Sequence, residues 1–160
     1  MAKKAVDPVP EGMHTVTAHL WFSGNCREAV EFYKKAFGME TVEPPVPTPD
    51  GRGILHALMQ LGDSRIMMAD AWPGAYEQGP KESATAGIYL YVDDCDRLYS
   101  RAVKAGCEVT QPIMDAFWGD RNGQLKDPFG HVWSIASRML DLTPEEMETR
   151  QKKWLESLPG

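Results

Sequence analysis

A chain of 160 residues is long enough for one domain, or for two small fused modules, with a core that needs no staples. Its 17 Lys and Arg against 23 Asp and Glu give a formal net charge of −6. That balance argues against a nucleic-acid partner, which requires a basic face, and disfavours anionic membrane surfaces. No apolar run approaches the length of a membrane span. Lys3 and Lys4 have no apolar stretch behind them, so residues 1–13 are expected to be a tail rather than a secretory signal. Three cysteines without paired spacing predict a reduced compartment, hence the cytoplasm.

The first element is a strand, expected over His14–Phe22 and rich in aromatic and branched residues. Asn25 is placed to cap the helix that follows, with Glu28 completing a capping-box pattern. Ala29, Phe32, Tyr33, Ala36 and Phe37 form its apolar face, and Gly38 ends it. Three strands are expected next, at about 39–44, 53–61 and 64–71, separated by the proline-rich stretch Pro44–Pro49 and by Gly/Asp turns. This first βαβββ module occupies 14–71, and the Pro- and Gly-rich segment 72–83 reads as a linker.

The pattern then repeats. Ala18–Ala29 aligns with Gly87–Leu98, each an apolar run, a polar pair and then a cysteine (Cys26, Cys95). The register continues through Lys35-Ala36 with Lys104-Ala105, and Gly62 then meets Gly130. The second module, 84–138, should hold a strand at 86–92, a helix capped by Asp94 and ended by Gly106, and strands at about 107–111, 117–126 and 132–137. Residues 139–160 carry a last helix with Thr143 as cap, Pro144 at its first position and Glu146 closing a capping box. Met147, Trp154, Leu155 and Leu158 share one face of it, which predicts docking on the chain itself or on a second copy in a homodimer.

Four segments make the chain look familiar: FYKKAFG (Phe32–Gly38), LGDSRIMMAD (Leu61–Asp70), FWGDR (Phe117–Arg121) and DPFGH (Asp127–His131). In this order, on a duplicated βαβββ frame, they resemble the vicinal-oxygen-chelate superfamily of glyoxalases, bleomycin-resistance proteins and ring-cleaving dioxygenases, and within it the PhnB-like branch. The resemblance covers about 14–150. It implies an α+β fold, with paired βαβββ modules whose mixed sheet forms a cup around a small-molecule site.

Many members of that superfamily hold a divalent metal through His, Glu or Gln on the first and last strands of each module. The matching positions here are Ala18, Ile66, Gly87 and Ser134, none of which supplies a usual ligand. No metal and no cofactor are therefore expected. His19 is one residue away, and a one-residue step would turn it toward the helix. His56 alternates with Leu55 and Ala57, so with Gln60 it should line the cup as a hydrogen-bonding anchor or general base. Asp70, at a strand end, reads either as a carboxylate that orients His56 or as a turn-forming residue before Ala71-Trp72-Pro73. The shared parity of Ala18 and Gly87 assigns Leu20, Phe22, Tyr89 and Tyr91 to the same wall. Trp118 and Gln124 come from the counterpart of the His56 strand, and Met68 and Ser134 from the last strands. Cys26 and Cys95, in first helical turns, are read as structural, and His131 as part of a turn. There is no phosphate loop and no nucleophile elbow. The function expected is binding of a small organic ligand without the classical metal. The alternatives are a lyase or dioxygenase with displaced metal ligands, and a metal-free enzyme using His56 as base.

Overall fold

The computed structural model describes residues 2–158, and the chain divides between Lys81 and Glu82 into two compact units. The first contains β1 (Ala18–Phe22), α1 (Cys26–Phe37), β2 (Glu40–Thr41), β3 (Val46–Pro47), β4 (Ile54–Leu61) and β5 (Ser64–Asp70). The second contains β6 (Gly87–Tyr91), α2 (Cys95–Ala105), β7 (Glu108–Asp115), β8 (Asp120–Lys126), β9 (Val132–Arg138) and α3 (Pro144–Glu156). Each unit has its own sheet, ordered β1-β5-β4-β2 with β3 also on β4, and β6-β9-β8-β7. In both, the first strand runs parallel to the last and the other pairs are antiparallel. A parallel pair needs a crossover, which α1 and α2 supply.

Several boundaries differ from those expected. The first strand begins at Ala18, where its pairing with Ile66 begins. The segment expected at 39–44 is reduced to Glu40–Thr41, because Pro44 and Pro45 have no N–H to continue a ladder. The proline-rich stretch still contributes Val46–Pro47 to the edge of β4. Strand β7 runs on to Asp115 through Pro112, tolerated because β7 is an edge strand whose register shifts around that residue. Trp118 lies in the turn between β7 and β8 rather than in a strand. That turn is closed by Ala116 N donating to Asp120 O at 2.7 Å, with Gly119 at φ +98°.

The helix starts decide how each sheet is covered. Asn25 makes no side-chain cap. The expected role passes to Asp70, whose Oδ1 accepts from Cys26 N at 3.0 Å while its Oδ2 accepts from Ile54 N at 2.8 Å. One carboxylate thus ties the end of β5 to the first turn of α1 and to the start of β4, where the helix dipole also favours a negative charge. In the second unit Ser137 does the equivalent work. Its Oγ accepts from Cys95 N at 2.9 Å and donates to Val92 O at 2.6 Å, and Asp94 caps as expected by accepting from Arg97 N.

Against these anchors the two modules are out of step by one residue. In the first, the β1 residue opposite the anchor Asp70 is Phe22, four positions before Cys26. In the second, the pairing of β6 with β9 carried one step on sets Val92 opposite Ser137, three positions before Cys95. The extra residue lies at Ser23–Asn25, where Gly24 takes φ +88°. Phe22 and Leu20 consequently point at α1, with Phe22 1% exposed and its ring 6.3 Å from that of Tyr33. Ile66, Met68, Ala57 and Met59 share that face through the ladder and are buried. The opposite, helix-free face of the first sheet carries His19, Trp21, Met67, Ala69, His56 and Gln60. In the second unit Leu125, Trp133 and Ile135 are buried on the helix side. Gly123 is required among them, since a Cβ there would come within 2.5 Å of the Tyr99 ring of α2. Tyr89, Tyr91, Ser134, Ala136, Asn122, Gln124 and Asp120 occupy its helix-free face.

The α3 capping box forms as the sequence predicts, with Glu146 N donating to Thr143 Oγ1 and Thr143 N to Glu146 Oε2. This helix docks on the β7–β8 turn of its own unit: Trp154 stacks 5.3 Å from Phe117, and Arg150 Nε donates to Phe117 O at 3.0 Å. Met147, Leu155 and Leu158 stay exposed. Among the described residues no helix is long and apolar enough to cross a membrane.

Replacing Asp70 by Ala leaves two backbone donors without their acceptor and should lower stability by about 2 kcal/mol, measured by urea denaturation. A loss under about 0.5 kcal/mol would show that the anchor does not hold the module together.

Candidate functional site

The helix-free face of the second sheet gathers aromatic side chains around one carboxylate. Asp120, at the start of β8, is 4% exposed. Its Oδ2 accepts from Tyr91 Oη at 2.8 Å, from Trp118 Nε1 at 2.9 Å and from Tyr89 Oη at 3.3 Å. Two of these donors come from β6 and one from the β7–β8 turn, so the carboxylate fixes three rings from two segments. Their tips are held, yet Tyr89 is 43% exposed, Tyr91 65% and Trp118 38%. The tyrosine rings lie 5.1 Å apart, and Trp118 packs edge-on against Phe117 at 5.0 Å. Rings anchored by their polar ends, with flanks left exposed, are pre-organised for stacking.

Asp120 also changes the chemistry of its donors. Burial, and then the negative charge of Asp120, push the Tyr89 hydroxyl up to about 12. The hydrogen bond to Asp120 raises Tyr91 as well, followed by burial. Both therefore remain neutral donors throughout the physiological range. Two residues along β8 on the same face, Asn122 is 5% exposed and its Nδ2 has no hydrogen-bond partner. A sealed, unmatched donor is uncommon and costly in a folded protein. Ser134, the cross-strand partner of Tyr89, and Gln124, the partner of Ser134 on β8, share the face, and Gln124 Oε1 accepts from Thr110 Oγ1.

The first sheet's helix-free face is built differently. His19 and Trp21 stack at 4.2 Å with 24° between their planes. Partial burial and then the neighbouring His56 hold the His19 imidazole below its usual pKa, while Glu77 opposes them. His19 thus faces away from the helix, together with His56, contrary to the expected orientation. Gln60 is on this face but engaged, its Oε1 accepting from Arg65 Nε and its Nε2 donating to Gly62 O.

Leu20, Phe22 and Met68, expected to line the site, are core residues beneath α1. The reason is the extra residue before α1, which reverses the facing of β1 relative to β6. Asp70 does not orient His56, because it sits on the helix face with both oxygens occupied by backbone donors. Tyr89, Tyr91 and Trp118 are brought together. Asp120 and Asn122 were missed. Alternation back along β8 from Gln124 would have found both, since positions 124, 122 and 120 share a face.

The cysteines take no part in this face. Burial, then the charge of Asp70, pushes the Cys26 thiol up to about 12, overriding the helix dipole, and burial does the same to Cys107. His131 N donates to Asp127 Oδ1 within the turn, and Trp133 Nε1 donates to Asp127 Oδ2.

A family model described as Glyoxalase/Bleomycin resistance protein/Dioxygenase superfamily matches residues 14–135. The chain belongs to that superfamily. An uncharacterized protein of Mycobacterium tuberculosis is 35% identical over 126 residues, covering 75% of this chain and 72% of its own. The structure of protein PA1353 from Pseudomonas aeruginosa is 28% identical, with TM-score 0.62, over 79% of this chain and 99% of its own. The PhnB protein from Bacillus cereus, at 17% identity and TM-score 0.62, shares the fold over 78% of this chain and 99% of its own.

Superfamily membership raises the question of a metal, and the side chains present decide whether they suit one. Ala18 and Ile66 lie opposite each other on the helix face. On the helix-free faces, the layers nearest the expected ligand positions hold His19 with Met67, and Tyr89 with Ser134. His19 alone among these four carries a strong ligating group. Among the described residues no three His, Cys, Asp or Glu side chains gather as a metal site requires. The donor set does not fit the superfamily's divalent centre.

The raised Tyr89 hydroxyl has a spectroscopic consequence. Titration at 295 nm should show a tyrosinate step near pH 12 that Tyr89→Phe removes. A group raised on folding stabilises the native state fully below its unfolded pKa of about 10, and this contribution is lost as pH rises toward 12. Stability should therefore fall more steeply between those values in the wild type than in Tyr89→Phe. Ionisation of every tyrosine by about pH 10.5 would remove the Asp120 cluster from consideration.

Proposed function

We propose that the protein is a ligand-binding member of its superfamily, holding a small aromatic organic molecule on the helix-free face of the second unit without a classical metal centre. The observation that carries this reading is the convergence of Tyr89, Tyr91 and Trp118 on Asp120 Oδ2, which leaves large apolar ring surface exposed but fixed. Exposed aromatic surface costs free energy when nothing covers it, and rigid surface loses little entropy on binding. The polar groups of the same face, Ser134 and Gln124, supply the few directional contacts that orient a bound molecule. Shape and stacking are sufficient for sequestration, and the donor set argues against metal-assisted chemistry here.

A thermal-shift screen of planar aromatic compounds, followed by residue-resolved NMR, tests this. Binders should raise the melting temperature in proportion to the logarithm of their concentration over Kd. Their perturbations should centre on Tyr89, Tyr91 and Trp118, and Trp118→Ala should weaken them about tenfold. Chelator treatment should leave binding unchanged. Perturbations that map elsewhere, or binding lost on chelation and restored by a divalent ion, would overturn the reading.

A further inference from the structure

Asp120 is a nearly buried carboxylate whose three hydrogen bonds all fall on one oxygen. Oδ1 accepts from no described donor. Among the described residues Asn122 Nδ2 is the sealed side-chain atom lacking a partner, so Oδ1, also without one, is not sealed off. Among the described residues no ion pair involves Asp120. Arg138 is its direct cross-strand neighbour, but that guanidinium is bound to Asp141 at 2.7 Å. Asp127 makes the contrast clear. It is as deeply buried, yet its Oδ1 receives two backbone N–H groups and its Oδ2 the Trp133 indole. Asp127 is completed by its own fold, and Asp120 is not.

The fold leaves Asp120 Oδ1 open on one side, where a cation or a strong donor from outside can meet it in place of water. The groups around it suit a cation. Tyr89, Tyr91 and Trp118 present electron-rich rings, which attract organic cations as well as aromatic rings. Resting on the stacking reading above, the geometry points to an aromatic organic cation as the ligand class, its charged nitrogen on Asp120 Oδ1 and its ring against the Tyr89–Tyr91–Trp118 cluster. Asp120 is then the specificity-determining residue, and the aromatic trio supplies contact area.

Three indoles of similar shape separate charge from stacking: tryptamine (cationic), tryptophol (neutral) and indole-3-propionate (anionic). Each is titrated into the full-length isotope-labelled chain and followed by NMR. Tryptamine should bind at least about tenfold more tightly than tryptophol, with indole-3-propionate weakest. In Asp120→Asn the gap between tryptamine and tryptophol should shrink to within about twofold. If that variant loses its native spectrum, a salt series on the unmodified chain gives the same information. Raising NaCl from about 20 to about 500 mM should weaken tryptamine several-fold and leave tryptophol unchanged. Equal affinities for tryptamine and tryptophol, insensitive to salt, would overturn the cation assignment while leaving the stacking site in place. Failure of all three to bind at millimolar concentration would overturn both.

Discussion

Each sheet of this protein has one face covered by a helix, and a single side chain at the end of the last strand decides which residues lie under it. Asp70 and Ser137 hold the first-turn N–H of α1 and α2 against the sheet. Side chains alternate along a strand, so fixing one residue under the helix fixes every other one. From the anchors follow the burial of Phe22, Met68, Trp133 and Ile135 and the exposure of His19, Tyr89 and Tyr91. The site's composition is thus a consequence of helix docking, and one extra residue before α1 gives the two faces unlike chemistry.

The contrast between the units shows how a duplicated frame diverges. At corresponding levels of the two ladders the first unit offers Trp21, Ala69 and His56, and the second Tyr91, Ala136 and Asn122. His56 is exposed, whereas Asn122 is sealed and unmatched. The second unit alone places a carboxylate at the start of β8. Ile54, at the matching point of the first unit, is apolar and buried, and its N–H is held by Asp70 instead. The two modules share an architecture while one of them carries the aromatic and acidic groups.

Docking of α3 supports that asymmetry. Phe117 is gripped by Trp154 through its ring and by Arg150 through its carbonyl, and Trp118 is the next residue. The turn that delivers the indole to Asp120 is therefore braced from outside by the C-terminal helix and from inside by the Ala116–Asp120 hydrogen bond. A ring held at both ends loses little freedom when it meets a ligand, which is the physical content of pre-organisation.

Much of this was legible in the chain. The two βαβββ runs, the α3 capping box, the Asp94 cap and the shared facing of Tyr89 and Tyr91 all follow from local patterns: alternation, helical spacing, and capping residues that act within three positions. The superfamily was legible from four segments in fixed order. What the sequence could not decide was any feature joining residues distant in the chain. Asp70 capping a helix 44 positions away looked like a turn residue or a partner for His56. Leu20 and Phe22 look the same as strand residues whichever face they take, and only the docked helix distinguishes core from site. Asp120 reads as one more surface aspartate until tertiary structure sets three aromatic donors, from as far as 31 residues away, on a single oxygen. Local sequence specifies local hydrogen bonds and periodicity. The facing of a strand and the surroundings of a buried charge are set by partners that only the folded chain brings together.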